Sequence, residues 1–305
     1  VIRAGLIVNP KSRRNRFAGA MRRWRSESVL VEAPQTREAL DGALGRFAAH
    51  GLDLLAIAGG DGTLREVLTR APQHFPSGLP PLAVLPAGKT NALAMDLGAP
   101  RGWTLEAALK SAAAGTVRAR RPLEISRRDG SDPPSRGFIL GAGAFVRATQ
   151  LAQATHRLGA FDNLAVGATL AAAAARTLFG GDDGPWRAGE PMRLSFGVEP
   201  LPEKRLFLVM VSTLQQLPLG LRPFGADAEG LKVLAVDAPP RRLSAALPLL
   251  ISGRAASWLE GAGYHRSNPE RLDLTLASPF VLDGETFPGG ELSVGMGPPV
   301  DFVAP

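Results

Sequence analysis

The stretch LLAIAGGDGTLREVL, Leu54–Leu68, decides how the chain is read. An apolar run of strand length ends in Gly59-Gly60-Asp61-Gly62-Thr63 and passes straight into a helical pattern. Glycines at such a turn let backbone approach a ligand closely, and the helix start offers unpaired N–H groups to phosphate oxygens. Asp61 is a carboxylate of the type that ligates or water-bridges Mg²⁺, and Thr63 can bond a phosphate. A lone GDG would be read as a tight turn with an aspartate cap. The strand–GGDGT–helix context favours a nucleotide site.

Outward from this turn, strand and helix patterns alternate. Arg3–Asn9, Ser28–Glu32, Leu52–Ala58 and Leu82–Leu85 read as strands. Helical patterns run to about Arg25, through TREALDGALGRFAAHG with Thr36 as N-cap, and over Thr63–Arg70 and Thr90–Leu97. Such alternation predicts a parallel sheet covered by helices. Ligands bind such sheets at the carboxyl ends of their strands. The Asn9-Pro10 turn with Lys11 and Ser12, the GGDGT turn and the Gly88 turn are therefore expected to share one crevice. After about Val117 short β-like runs and turn clusters dominate, as expected of an antiparallel sandwich interrupted by helices around Arg147–Leu178 and Leu243–Glu260. The reading is two domains, 1–120 and 121–305, and the last residues could return to the first.

Gly88-Lys89-Thr90 resembles the end of a Walker A loop, G-x-x-x-x-G-K-[ST]. It fails that test: Ala83 stands where the first glycine belongs, Ala83-Val84-Leu85 reads as strand, and Pro86 interrupts the cradle.

Bulk properties set limits. The 305 residues suffice for two cores, with 45% hydrophobic and 21% charged residues. The absence of cysteine excludes disulfides, thiolate catalysis and Cys-ligated metals. Four scattered histidines show no metal-ligand spacing. Val1 opens directly into an apolar run without a signal-peptide pattern, and the longest uncharged run of small and apolar residues, Leu164–Ala175, is shorter than a bilayer span. A cytoplasmic protein is expected. The net charge is +7, and basic residues gather in KSRRNRFAGAMRRWR, Lys11–Arg25. A solvated helix face is one reading and an anionic membrane surface another. With one tyrosine and no aromatic interleaving, nucleic acid is not an expected partner.

NPKS, GGDGTLREV, PAGKTNALAMDLG and the late LDGE (Leu282–Glu285) occur in the order and approximate spacing of the diacylglycerol kinase catalytic family, which includes bacterial lipid kinases and the sphingosine and ceramide kinases. RGFILGAGAFV and PFGADAEGLKVLAVDAPPRRLSAALPLLISGR extend the likeness. GGDGT alone is shared with NAD kinases, so a soluble enzyme of that kind is one alternative; a catalytically inactive lipid-binding or regulatory protein is another.

The resemblance implies an α/β nucleotide domain, a C-terminal β-sandwich, and an ATP site between them. It marks Asn9, Lys11, Ser12, Gly60, Asp61, Gly62, Thr63 and Glu66 as nucleotide contacts, joined by Gly88, Thr90 and Asn91, with Lys89 as a charge for the phosphates. Asp283 and Glu285 become the acidic pair that receives a lipid hydroxyl's proton, with Asp61 catalytic and the ligand of Mg²⁺. The implied acceptor is diacylglycerol, ceramide or a sphingoid base, phosphorylated at the inner face of a membrane. Three positions depart from the family pattern: Lys89 replaces Thr, Ala92 replaces Asp, and Lys232 stands near the second acid of a loop linked to a structural Mg²⁺.

Overall fold

The computed structural model describes residues 2–12, 24, 28–88, 90–100, 102–157, 184, 187–197, 202–225 and 229–305. Most of the basic segment, Lys89, the part of the expected Arg147–Leu178 helical stretch from 158 onward and the uncharged run within it lie outside the described residues.

The first part runs β1 (Ala4–Val8), β2 (Val29–Glu32), α1 (Arg37–Ala49), β3 (Leu54–Gly59), α2 (Asp61–Arg70), β4 (Leu82–Pro86), α3 (Ala92–Asp96), α4 (Leu105–Ala113) and β5 (Val117–Arg120). Its sheet has the order β2-β1-β3-β4, all parallel. The chain's last strand, β17 (Val300–Val303), joins parallel to β4 and antiparallel to β5, so the carboxyl end completes the amino-terminal sheet. β1 and β3 are buried at every position because both faces are covered. Ile7, Leu55 and Ile57 pack with Leu44 and Phe47 of α1 and Leu64 and Leu68 of α2. Leu6, Leu54, Ala56 and Ala58 point the other way, toward Leu105 and Ala108 of α4. An unbroken apolar run is what a doubly covered parallel strand demands. Thr36 caps α1 as expected, its hydroxyl accepting the Ala39 N–H at 3.2 Å.

The second part runs β6 (Leu123–Arg127), β7 (Ser135–Gly137), β8 (Ile139–Gly143), α5 (Ala144–Arg157), β9 (Glu190–Ser195), β10 (Lys204–Ser212), β11 (Lys232–Asp237), α6 (Leu243–Ser252), α7 (Trp258–Gly261), β12 (Tyr264–Ser267), β13 (Arg271–Leu276), β14 (Phe280–Leu282), β15 (Glu285–Phe287) and β16 (Gly290–Met296). These strands form an eleven-stranded sheet whose pairings are all antiparallel. The antiparallel β-domain is thus present, built as one hydrogen-bonded sheet around a shared core.

That core takes alternate residues of its strands, among them Leu140, Val209, Val211, Val233, Ala235, Leu274 and Val294. The intervening residues of β10 and β11, such as Met210, Leu234 and Val236, face a second apolar layer with Ala246 and Leu250 of α6 and Leu259 of α7. This layer continues through Phe138 and Phe302, edge to face at 6.2 Å, into the helices of the first sheet. One continuous core therefore joins the two parts and fixes the cleft between them. No helix among the described residues is long and apolar enough to cross a membrane.

Candidate active site

The site begins where β3 ends. Gly60 is the N-cap of α2, and the Thr63 N–H returns to the Gly60 carbonyl at 3.0 Å. Against it lies the turn that follows β4. A Cβ on Gly88 would stand 2.4 Å from the Gly60 Cα, and one on Gly60 would stand 3.1 Å from the Gly88 Cα. Glycine is required at 88, and a side chain at 60 would be crowded. A Cβ on Gly62, by contrast, would meet nothing within 4 Å, so this backbone faces open space. Pro86 is the last residue of β4, so the would-be glycine cradle is strand.

Two asparagines spend their amides on holding these turns. Asn9 Nδ2 donates to Thr63 Oγ1 at 2.8 Å, and Asn9 Oδ1 accepts the Lys11 N–H at 3.0 Å. This ties the loop after β1 to the start of α2. Asn91 adopts the left-handed conformation (φ 53°), which asparagine tolerates better than most residues. Its Oδ1 accepts the Gly88 N–H at 2.9 Å and its Nδ2 donates to the Gly88 carbonyl at 3.0 Å, closing the loop that presents exposed Thr90.

Asp61 lies where two helix starts meet. It occupies the first turn of α2, and its Oδ1 accepts the Ala92 N–H that opens α3, at 2.7 Å. Ala92 thus serves through its backbone although its side chain lacks an acid. Burial pushes the Asp61 carboxyl upward, against the pull of the Ala92 and Asn91 N–H groups.

From the second part comes the β14–β15 hairpin. Asp283 (φ 47°) and Gly284 (φ 82°) are its two loop residues, a left-handed pair that an Asp-Gly turn accommodates. The hairpin reading and the acidic reading of LDGE are therefore both true of one turn. The Asp283 carboxylate accepts the Phe138 N–H at 3.0 Å and the Ile139 N–H at 2.9 Å. A Cβ on Gly137 would stand 2.6 Å from Asp283 Oδ2, so glycine is required there. Burial, and then the charge of nearby Asp61, push the Asp283 carboxyl up to about 7; the two N–H groups and Arg65 oppose this.

Two arginines absent from the sequence reading bind the halves together. Arg65 is 2% exposed, sits over the Phe287 ring at 4.8 Å, and pairs with Glu66 at 2.8 Å and with Glu285. Arg37 pairs with Glu66 at 3.0 Å and reaches Glu285 at 3.6 Å. Burial alone would raise the Glu66 carboxyl, but the Arg37 hydrogen bond and the Arg65 and Arg37 charges outweigh it and hold it below the usual range. Each arginine left a trace in the sequence. Arg37 opens a helix, where a cation opposes the helix dipole. Arg65 falls between Leu64 and Val67 on the buried side of α2.

Part of this set borders a cleft of about 600 Å³ at the carboxyl ends of β1 and β3, whereas Asp61, Asp283 and Arg65 are not among its lining residues. Asn9, Lys11, Ser12, Gly60, Gly62, Thr63, Glu66 and Glu285 line it, together with Pro34–Arg37. Gly88 and Asn91 stand behind Gly60 rather than on its wall. The donor set suits a hard cation: Asp61 and Asp283 are oxygen ligands whose mutual repulsion a cation would relieve. No cluster of three metal-ligating side chains exists among the described residues, so phosphate oxygens and water would supply the rest of a Mg²⁺ shell. The Lys232 region does not fit a metal. Its buried ammonium donates to the Leu214 carbonyl, while Asp96 beside it accepts from Arg120 at 2.6 Å and from the Gln216 N–H at 2.5 Å. Burial lowers the Lys232 ammonium, partly offset by Asp96. A protein cation already occupies that place.

Comparison with known proteins follows this division. The chain is 37% identical over 102 residues to the "Probable lipid kinase YegS-like" of Stenotrophomonas maltophilia, covering 31% of this chain and 32% of that protein. It is 34% identical over 135 residues to a "Diacylglycerol kinase" of Bacillus subtilis, covering 42% of each. The matched segments therefore span less than half the length of these relatives. The fold likeness is wider: a diacylglycerol kinase structure from Bacillus anthracis covers 99% of this chain, and the chain 97% of it, with TM-score 0.62 at 14% identity. Residues 3–125, which carry both glycine turns and Asp61, match the diacylglycerol kinase catalytic domain family.

Proposed function

We propose that the chain is an ATP-dependent lipid kinase, transferring the γ-phosphate of ATP to the hydroxyl of a membrane lipid. The observation that carries this reading is Asp283: a half-buried carboxylate fixed by the Phe138 and Ile139 N–H groups at the Asp283–Gly284 turn, whose next residue, Glu285, lines the cleft with the Gly60–Thr63 turn. Phosphoryl transfer asks the protein mainly for positioning, charge neutralisation and a carboxylate near the attacking hydroxyl. The Gly60–Gly62 turn receives the phosphates on backbone N–H groups, and Lys11, Ser12 and Thr90 flank them. Asp61 is the residue that would hold Mg²⁺, which neutralises phosphate charge when bound. Asp283 takes the proton of the lipid hydroxyl as its oxygen attacks. Glu285, clasped by Arg65 and Arg37, keeps the hairpin closed over the cleft.

Diacylglycerol, ceramide and sphingoid bases all present a suitable hydroxyl, and the enzyme would meet them at an anionic membrane surface on the cytoplasmic side. The test is transfer of label from γ-labelled ATP to a panel of these lipids in detergent. One labelled lipid, lost with Asp283→Asn, supports the reading and names the acceptor. No labelled lipid across the panel overturns it.

A further inference from the structure

Helix α6 contains no charged residue from Leu243 to Ser252. Ala246 and Leu250 form its buried stripe. On its outward side Leu247 and Ile251, one turn apart, are 41% and 46% exposed, accompanied by exposed Ser244, Pro248 and Ser252. The solvent face of a surface helix is ordinarily charged or strongly polar, so an uncharged outward stripe with two large aliphatics calls for a cover.

The neighbouring turn enlarges this face. Leu219 is 88% exposed and held in the left-handed conformation (φ 62°) at the tip of Leu217–Leu221. The Arg222 N–H donates to the Ile251 carbonyl at 3.0 Å, which ties that turn to the end of α6. The turn also packs against α3, whose Met95 is 43% exposed and stands one turn beyond Asn91. Four of the six large apolar side chains exposed among the described residues thus belong to three adjoining segments.

Arginines frame them. Arg241 and Arg242 precede α6, Arg254 follows it, and Arg222 stands at the base of the Leu219 turn. All four are exposed, and none makes an ion pair among the described residues. Arg242 lies over the Trp258 ring at 5.8 Å, which leaves its charge intact.

We propose that α6 and the Leu219 turn form the surface that seats this protein on an anionic phospholipid bilayer. Leu219, Leu247 and Ile251 enter the boundary between headgroups and acyl chains, and the four arginines meet lipid phosphates. Binding at a membrane interface grows with the apolar area that enters it and with attraction between cations and anionic lipids, and this face offers both. Arginines gain from the negative potential of an anionic leaflet. A second copy of the chain fits less well, because pairing this face with itself would bring arginine toward arginine. The inference rests on the lipid-kinase reading only for what docking accomplishes.

The test is co-sedimentation with phosphatidylcholine vesicles with and without phosphatidylglycerol, without nucleotide. Wild type should bind the anionic vesicles, less so as salt rises. Leu219→Ser/Ile251→Ser should lose about tenfold in partitioning, and Arg241→Gln/Arg242→Gln/Arg254→Gln should lose the salt-sensitive part. Thermal melting and nucleotide affinity should stay unchanged, since none of these side chains is buried. Wild-type partitioning by both variants, or no binding by wild type, overturns the proposal. So does a wild-type dimer that Leu219→Ser/Ile251→Ser dissociates, which would assign the face to a second copy. Lipid phosphorylation in detergent separates the two readings. Activity there without vesicle binding removes the docking surface alone; vesicle binding without activity removes the kinase reading alone.

Discussion

The glycine turns of the first sheet and the Asp283–Gly284 turn of the second meet at one site, where Gly60 and Glu285 line the cleft, but they are held in different ways. At Gly60 and Gly88 the constraint is steric: a methyl group on Gly88 would collide with the Gly60 backbone, and one on Gly60 would crowd that of Gly88. At Asp283 the constraint is electrostatic. A half-buried carboxylate is kept in place by two N–H groups, with a like charge, Asp61, nearby. The first arrangement shapes a receptacle for phosphate at little electrostatic cost. The second stores an unfavourable charge placement, which is the usual means of bringing a carboxylate into its working range.

The sharpest way to break this contrast is Asp283→Asn, which preserves shape and removes the charge. Turnover should fall by about 10²- to 10⁴-fold, while calorimetric nucleotide affinity stays near wild type. Equal losses in both would make Asp283 part of the receptacle instead.

Stability against pH tests the same point without substrate. The folded Asp283 carboxyl, at about 7, binds its proton more tightly than in the unfolded chain. Stability is therefore fully present below the unfolded value near 3.8 and is lost as pH rises toward 7, by up to about 4 kcal/mol. Activity runs the opposite way, rising as the proton leaves. In denaturant titrations from pH 4 to 8, Asp283→Asn should flatten the decline. An unaltered slope would place the charge strain elsewhere.

Gly88→Ala probes the steric side. The added methyl forces the two turns apart, at a cost of about 1–3 kcal/mol, and should weaken nucleotide binding without moving the acidic limb of the pH–rate profile. Wild-type stability would show that the turns give way easily.

The smallest effects compare the two arginines. Arg65→Met leaves Glu285 to Arg37 alone and Glu66 to Arg37 and Arg70, and should cost about 2 kcal/mol, discounted because Glu285 is 49% exposed. Arg37 is half exposed, so Arg37→Ala should cost under about 1 kcal/mol, and less at high salt. The reverse order in chemical denaturation would make Arg37 the principal link between the halves.

Legibility in the sequence followed the range of each cause. Unbroken apolar runs at Ala4–Val8 and Leu54–Gly59 marked a covered parallel sheet, because one strand's burial shows in its own residues. Glycines 59, 60, 62 and 88 were visible for the same reason. The boundary of α2 was less clear: it begins at Asp61 rather than Thr63, since Gly60 already serves as cap. LDGE could be read locally only as a turn. The clasp formed by Arg37 and Arg65 has no local signature because it closes on Glu285, 220 residues from Arg65.

The sequence by itself determined the division into a parallel α/β part and an antiparallel part, the two glycine turns, and the absence of cysteine chemistry. These depend on periodicity, backbone freedom and composition, all of which act over a few residues. Only the tertiary structure decided that Asp283 stands beside Asp61 and that an arginine clasp closes the hairpin onto α2. It also placed the carboxyl-terminal strand in the amino-terminal sheet. Long-range electrostatics and core packing set these relations, and they act between residues that the linear order keeps apart.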